Sequence, residues 1–224
     1  MSGLFITGAG TEIGKTFVTC ALIHQLRREK RAVQAIKPVI SGYDEKYPAE
    51  SDSGRILAAL GKPPTDSAVK HISPWRYQTP IAPNMAARRE GRPIPFAKLV
   101  THCRKALDHG GTITLIEGVG GVMAPLTDEA TVMDWMAALA CPAVLVTGSY
   151  LGAISHALTA VVALETRGVP LAGIVVSESA ESSVDLHETV RTIEGLLPGK
   201  LILVVPRLKD FSEAPDLTPL LPEG

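Results

Sequence analysis

Nine residues near the start of the chain, Gly8-Ala9-Gly10-Thr11-Glu12-Ile13-Gly14-Lys15-Thr16, combine the residue types that handle anions. Glycines let backbone N–H groups converge on a phosphate, a lysine adds a point charge, and a hydroxyl after it can ligate Mg²⁺. The loop is one residue longer than the spacing G-x-x-x-x-G-K-[ST], which would need glycine where Ala9 stands. Further along, Glu117 follows an apolar run and precedes three glycines within four residues, Gly118-Val119-Gly120-Gly121. A carboxylate there needs a cation or hydrogen bonds, and Mg²⁺ shared with phosphate oxygens is a natural partner. Asp52 is a second possible ligand, although Ser51-Asp52-Ser53 reads equally well as a helix N-cap. Lys37, before Pro38, is either a solvated charge at a strand end or a cation able to stabilise a transferring phosphoryl group.

The elements that must position these groups follow from apolar patterning. A strand at Gly3–Thr7 feeds the loop, and Thr16 to Arg28 carries Val18, Ala21, Leu22 and Leu26 at helical spacing. Strands are expected at 32–36, 112–116, 143–147, 171–176 and 201–205, with pairing interrupted at Pro38. Helices are expected from Ser51 to Leu60, from Phe96 to His109, and near 131–140, 153–167 and 183–197. Residues 63–95 are proline-rich and read as a long irregular loop, packed rather than disordered because of Trp75, Tyr77, Ile81 and Met85. Continuous apolar strands alternating with helices predict an α/β fold, a mostly parallel sheet with helices on both faces, in a single domain. In such sheets ligands lie at the carboxyl ends of the strands, which singles out the same loop, Lys37, Ser41, Glu117, Thr147-Gly148-Ser149, Ser177-Glu178 and Pro206-Arg207.

Bulk properties narrow the function classes. A net charge of −1 gives no basic surface for nucleic acid. No run of about 18 apolar residues offers a membrane span. The Met-Ser-Gly start leads directly into the first strand, so no secretory leader is expected. Cys20, Cys103 and Cys141 are widely spaced, which suits neither a zinc site nor a disulfide framework and points to a reduced, cytoplasmic protein. The six histidines are scattered, and a Ser/His/Asp hydrolase has no G-x-S-x-G support.

Taken in order, these segments resemble the dethiobiotin synthetase family. The resemblance rests on the extended loop with Thr11-Glu12 inside it, Lys37-Pro38-Val39 with Ser41-Gly42, and Asp52. It continues through Glu117-Gly118-Val119-Gly120-Gly121 and Leu151-Gly152 with His156, collinear from residue 3 to about residue 208. It implies a P-loop NTPase-type domain over residues 1–224, with a Pro-rich tail from about residue 209. It also implies the reaction: Mg-ATP and CO₂ convert 7,8-diaminononanoate to dethiobiotin through a carbamate and a carbamic–phosphoric anhydride, releasing ADP and phosphate.

Roles carried over from the resemblance are as follows. Lys15 would lie on the β/γ-phosphates, and Thr16, Asp52 and Glu117 would hold Mg²⁺. Lys37 would stabilise the carbamate and the transferred phosphoryl group, with Thr11 and Ser41 hydrogen-bonding the carbamate or diamine. Glu12 would face the substrate amines or the ATP ribose. The nucleotide would also meet Ile13, Gly14, Phe17, Gly118, Val119, Gly120, Ser177, Glu178, Pro206, Arg207 and Leu208. Thr79-Pro80-Ile81-Ala82-Pro83 would form a substrate-side loop. The active site would sit at a homodimer interface, where the partner's turn, residues 151–155 (Leu151, Gly152, Ala153, Ile154 and Ser155), would bind the substrate carboxylate.

Ser155 and Ser177 stand where many relatives carry asparagine, and Val119 where alanine is common. A serine hydroxyl reads adenine less completely than an amide, so looser base selectivity is expected at Ser177, with CTP or GTP as substitutes. Two rivals share the loop. Amidoligases typically add a glutamine-hydrolysing domain, for which 224 residues leave no room. Partitioning-type switch ATPases place a second lysine early in the loop, and Thr7 to Ile13 contains none.

Overall fold

The computed structural model describes residues 3–182 and 184–222. Ser183, at the start of the helical stretch read at 183–197, and the last two residues of the Pro-rich tail lie outside them. The elements in chain order are β1 (Gly3–Gly8), α1 (Lys15–Arg28), β2 (Val33–Ile36), β3 (Val39–Ser41), α2 (Asp52–Ala59) and α3 (Asp66–Ile72). Next come β4 (Trp75–Tyr77), α4 (Pro83–Arg89), α5 (Phe96–Leu107), β5 (Ile113–Glu117), α6 (Val132–Leu139) and β6 (Ala143–Thr147). The chain continues through α7 (Ala153–Thr166), β7 (Leu171–Ser177), α8 (Leu186–Leu196) and β8 (Ile202–Val205).

Six strands form one sheet in the order β2-β5-β1-β6-β7-β8, and every pair is parallel. Every residue of β1, β5 and β6 is buried, so both faces of the sheet's centre are covered. Phe5 stands edge-on to Trp135 of α6, with ring centroids 4.8 Å apart, and both are fully buried. Among the described residues no helix is long and apolar enough to cross a membrane.

The strand order explains how distant residues meet. β5 lies between β1 and β2, with Ile6 opposite Glu117 and Ile36 opposite Ile116. Lys37, one residue beyond Ile36, therefore arrives beside Glu117, and the glycine-rich loop after β1 opens on the other side of the same strand end.

Two expectations need correction. The stretch 63–95 is not irregular: it contains α3, β4 and α4. Nor does strand pairing stop for good at Pro38, because β3 resumes after it and pairs in parallel with β4, Val39 with Trp75 and Ser41 with Tyr77. Tyr77 is buried and donates its hydroxyl proton to Arg92 O at 2.8 Å, but Met85 is 46% exposed and contributes little to the packing expected of it. The proline-rich tail folds back on α1. Gln25 donates to Pro215 O at 2.8 Å and accepts from Leu217 N at 2.9 Å, while Leu217 and Leu220 are buried. A groove of about 320 Å³ between α1 and this tail holds none of the expected site residues.

Candidate active site

The glycine-rich loop takes its shape from a few tightly constrained positions. Glu12 has φ 55° and Gly14 φ 92°, both left-handed. Gly14 caps α1, and a Cβ there would stand 2.7 Å from Ser177 Oγ, so glycine is required both for conformation and for space. The end of β7 thus abuts the last turn of the loop. Lys15 opens α1 nearly buried, with its ammonium donating to Gly10 O at 2.8 Å across the loop. A glycine-rich loop of this kind with a lysine at a helix N-terminus can receive a polyphosphate.

Beside it lies a buried ionic cluster. Lys37, 3% exposed, places its ammonium 2.6 Å from Glu117 Oε1, 3.1 Å from Asp52 Oδ2 and 3.3 Å from Gly118 O. Thr16 donates its hydroxyl proton to the same Glu117 oxygen at 2.7 Å. Glu117 is completely buried, and its Oε2 has no hydrogen-bond partner. The cap read at Ser51-Asp52-Ser53 is supplied by Ser51, which accepts from Gly54 N at 3.0 Å at the start of α2, and the Asp52 carboxylate faces Lys37.

Burial pulls the Lys37 pKa down, but the Glu117 and Asp52 carboxylates outweigh it and hold the ammonium above the usual lysine value. Burial works to raise the Asp52 pKa, but the Lys37 ammonium overcomes it and keeps the carboxyl below its usual range. Lys15 shifts the other way: burial, aided by the Lys37 charge, brings it down to about 8. In the free protein it therefore sheds its proton around pH 8 rather than near the ordinary 10.5. A bound polyphosphate favours the charged form, so nucleotide binding at about pH 9 is expected to take up a proton that it does not take up at about pH 7. Calorimetry in buffers of different ionisation enthalpy measures this, and equal proton uptake at both values would show that Lys15 is already charged.

The cluster and the loop form two sides of a cavity of about 600 Å³. Of the expected residues, Thr11, Glu12, Lys15, Lys37, Ser41, Asp52, Pro80, Val119 and Gly120 line it, as do Ile81, Ala82 and Pro83. Ser41 Oγ is buried there without a partner. Thr79 does not line the cavity: its N–H and hydroxyl are held by Glu90 Oε1 at 3.1 and 3.4 Å. Ile13 is buried under the loop and Phe17 packs against the core behind it. Ser177, Glu178, Pro206, Arg207 and Leu208 cluster separately at the ends of β7 and β8, where Glu178 Oε2 accepts from Arg207 N at 2.7 Å. That carboxylate braces the loop after β8.

The turn at 151–155 stands apart from the cavity. Leu151 is 85% exposed, Gly152 caps α7 at φ 96°, Ala153 is buried and Ser155 is exposed. Tyr150 and His156 bracket the turn through a 2.8 Å hydrogen bond. The cavity wall includes residues that the sequence reading passed over: Ile40, Glu50, Ser51 and Ala124. No motif marks them, since they are ordinary loop and strand residues brought in by β3 and by the turn before α2.

Comparison with known proteins bears on the family and the fold. A family model described as an AAA domain matches residues 2–215. The ATP-dependent dethiobiotin synthetase BioD of Caulobacter vibrioides (strain NA1000 / CB15N) is 46% identical over 224 residues, covering 99% of each chain. The enzyme of the same name from Methylobacterium nodulans is 47% identical, over 98% of this chain and all of its own. That from Pseudomonas aeruginosa (strain UCBPP-PA14) is 36% identical over 98% of each. Among solved structures, the MinD cell division protein of Aquifex aeolicus superimposes with a TM-score of 0.55 at 14% identity, covering 95% of this chain and 86% of its own. A ParA family ATPase from Chlorobium tepidum gives 0.54 at 15%, covering 93% and 86%. These two likenesses establish the P-loop NTPase fold, while the full-length identities establish kinship: the chain belongs to the ATP-dependent dethiobiotin synthetase family.

Proposed function

We propose that this protein is the ATP- and Mg²⁺-dependent enzyme that carboxylates 7,8-diaminononanoate and closes the ring to dethiobiotin in biotin biosynthesis. The observation that carries the proposal is the buried ammonium of Lys37, fixed between Glu117 and Asp52 on the wall of a cavity that also opens on the phosphate loop. One amine of the substrate attacks CO₂ and loses a proton, giving a carbamate. A carbamate oxygen then takes the γ-phosphoryl group of ATP as ADP leaves. The second amine attacks the activated carbonyl carbon, phosphate departs and the cyclic urea closes. Lys37 offers a desolvated positive charge to the carbamate and to the phosphoryl group in flight, where such a charge is most effective. Thr11 and the unpartnered Ser41 hydroxyl supply hydrogen bonds to the carbamate or diamine. Lys15 holds the β/γ-phosphates once its ammonium leaves Gly10 O.

The donor set fits Mg²⁺: a hydroxyl, a partly exposed carboxylate and a buried carboxylate with one oxygen unpartnered. Thr16, Asp52 and Glu117 would hold it. Bound there, Mg²⁺ would offset the negative charge that develops during phosphoryl transfer.

Radiolabelled bicarbonate tests the function. Label is expected in an acid-stable product only when ATP and the diamine are both present; ATP hydrolysis indifferent to the diamine would overturn the reading. The base site is formed by Ser177, Glu178 and Pro206 to Leu208, and Ser177 leaves it permissive. CTP or GTP is expected to support turnover within about tenfold of ATP, by the worth of one or two hydrogen bonds. Steady-state kinetics with each nucleotide checks this, and strict ATP dependence would refute it.

The substrate carboxylate is assigned to the α7 N-terminus of a second subunit, where free N–H groups receive anions. This makes the enzyme a homodimer with shared sites. A Lys37→Ala chain mixed with a Gly152→Val chain should then regain part of the wild-type rate, since one composite site in the heterodimer is intact. No recovery in verified heterodimers would mean self-contained sites. A reduced, cytoplasmic setting suits the three cysteines, all buried and unpaired, with burial pushing Cys20 and Cys103 up to about 12 and Cys141 to about 11.

A further inference from the structure

Five charged side chains line the cavity, and they divide unevenly: Lys15 and Lys37 against Glu12, Glu50 and Asp52. Both lysines are committed. Lys37 is held by Glu117 and Asp52, and Lys15 lies in the phosphate loop bonded to Gly10 O. Glu12 and Glu50 have no hydrogen-bond or ion-pair partner for their carboxylates among the described residues. They rise from different segments, Glu12 from the phosphate loop and Glu50 from the 3₁₀ turn Pro48–Glu50 ahead of α2.

The turn that carries Glu50 is fixed. Ser51 donates its hydroxyl proton to Pro48 O at 2.6 Å and accepts from Gly54 N at 3.0 Å. Gly54 lies so close beneath the turn that a Cβ would stand 2.1 Å from Pro48 O and 2.7 Å from Ala49 Cα. Glu50 N also donates to Tyr47 O at 3.1 Å. The cavity lining also includes Ser41, whose buried hydroxyl oxygen has no partner. The cavity therefore has an exposed carboxylate, carried on a fixed turn, that bonds to neither lysine, and elsewhere in its lining a polar atom that lacks a partner. Its complement is a ligand with more than one positive charge.

We infer that Glu50 is a specificity residue that pairs with one of the two ammonium groups of the diamine substrate, giving the cavity its preference for a diamine over a monoamine. The inference rests on the proposed function and adds a residue to that site. Steady-state kinetics of the full chain tests it with Glu50→Gln and Glu50→Asp. Glu50→Gln is expected to raise the KM for 7,8-diaminononanoate about fivefold, near the upper range for a partly solvated ion pair, with the ATP KM unchanged. Glu50→Asp should recover part of the loss, and added salt should narrow the gap between wild type and Glu50→Gln.

Inhibition by 7-aminononanoate and by 8-aminononanoate separates the two ammonium groups. Glu50→Gln should weaken one of them and spare the other. An unchanged diamine KM would overturn the assignment, as would equal effects on both monoamines, or a parallel rise in the ATP KM with a lowered melting temperature. If wild-type protein forms no dethiobiotin, the functional reading itself fails, and that result is visible before any variant is compared.

Discussion

Replacing Lys37 with alanine is expected to lower turnover about a thousandfold while ATP still binds. The size follows from the loss of one fixed donor at a developing oxyanion, which typically costs between about a hundredfold and a thousandfold. Nucleotide binding should survive because the loop, Lys15 and the base site do not depend on the Lys37 ammonium. The substitution has a second consequence. Glu117 is completely buried, and without its cation it becomes an uncompensated charge, worth about 3–5 kcal/mol of destabilisation. The melting temperature of the variant must therefore be measured alongside its rate, at a temperature where both proteins are folded. Lys37→Arg keeps the charge and relieves that strain on Glu117, so it should recover much of the stability and less of the rate, since a guanidinium fork does not replace a point charge in a fitted site. Normal turnover in Lys37→Ala would remove this lysine from the mechanism.

The pH dependence of that stability gap has a defined sign. The Lys37 pKa is raised in the folded protein, so its contribution is fully present below the unfolded lysine value and is lost as pH climbs through the folded one. The Asp52 pKa is lowered, so its contribution is present above the unfolded carboxyl value and is lost as pH falls through the folded one. The gap between wild type and Lys37→Ala should accordingly be flat around neutrality and close at both extremes. Lys15 acts in the opposite sense to Lys37: its folded value of about 8 lies below the unfolded one, so it adds stability as pH rises from about 8 to 10.5.

The parts of this site that were legible in the sequence are those set by local chemistry. The phosphate loop announces itself through its glycines, which its tightest points require, as Gly14 against Ser177 shows. The five sheet strands after it could be read from continuous apolar runs, and their parallel order made Lys37 and Glu117 neighbours without any local signal linking them. Asp52 could not be decided from its own sequence, since Ser51 and Asp52 cap helices equally well. The choice depends on Lys37, which is close only in the folded chain. The three-residue strands β3 and β4 escaped notice because neither is long enough to show a period, and they exist through pairing with each other. Thr79 lies in a stretch that resembles a substrate-side loop, yet Glu90, eleven residues later, holds its N–H and hydroxyl outside the cavity. Glu50 is one of several acids in a polar segment, and only its place in the cavity lining, on the turn that Gly54 packs under, distinguishes it. What the sequence conceals is therefore side-chain partnership across elements, together with short elements such as β3, α3, β4 and α4.

Glu117→Gln offers the other large effect and tests the cluster from its acidic side. The amide oxygen can still accept from Lys37 and Thr16, so the fold is less disturbed than by Lys37→Ala, but the negative charge that balances Lys37 is gone and the side chain is a poorer ligand for a hard cation. Turnover is expected to fall by at least about a hundredfold, and the gain in ATP affinity on adding Mg²⁺ should largely disappear. Titrating ATP with and without Mg²⁺ isolates the second effect from the first. If the metal still strengthens ATP binding as much as in wild type, Glu117 serves Lys37 and not Mg²⁺. The pair can then be separated by a cycle. Lys37→Met and Glu117→Leu should each destabilise the protein, since each leaves a fully buried charge without its main partner, whereas the double variant leaves only the partly exposed Asp52 carboxylate unpaired and should be more stable than either single change. It should also stay inactive. Recovery of stability without recovery of rate would mean that the buried ion pair is retained for the reaction and not for the fold. If rate and stability returned together, the ammonium and carboxylate would be dispensable to the chemistry, and the assignment of Lys37 to the transferring phosphoryl group would fall with them.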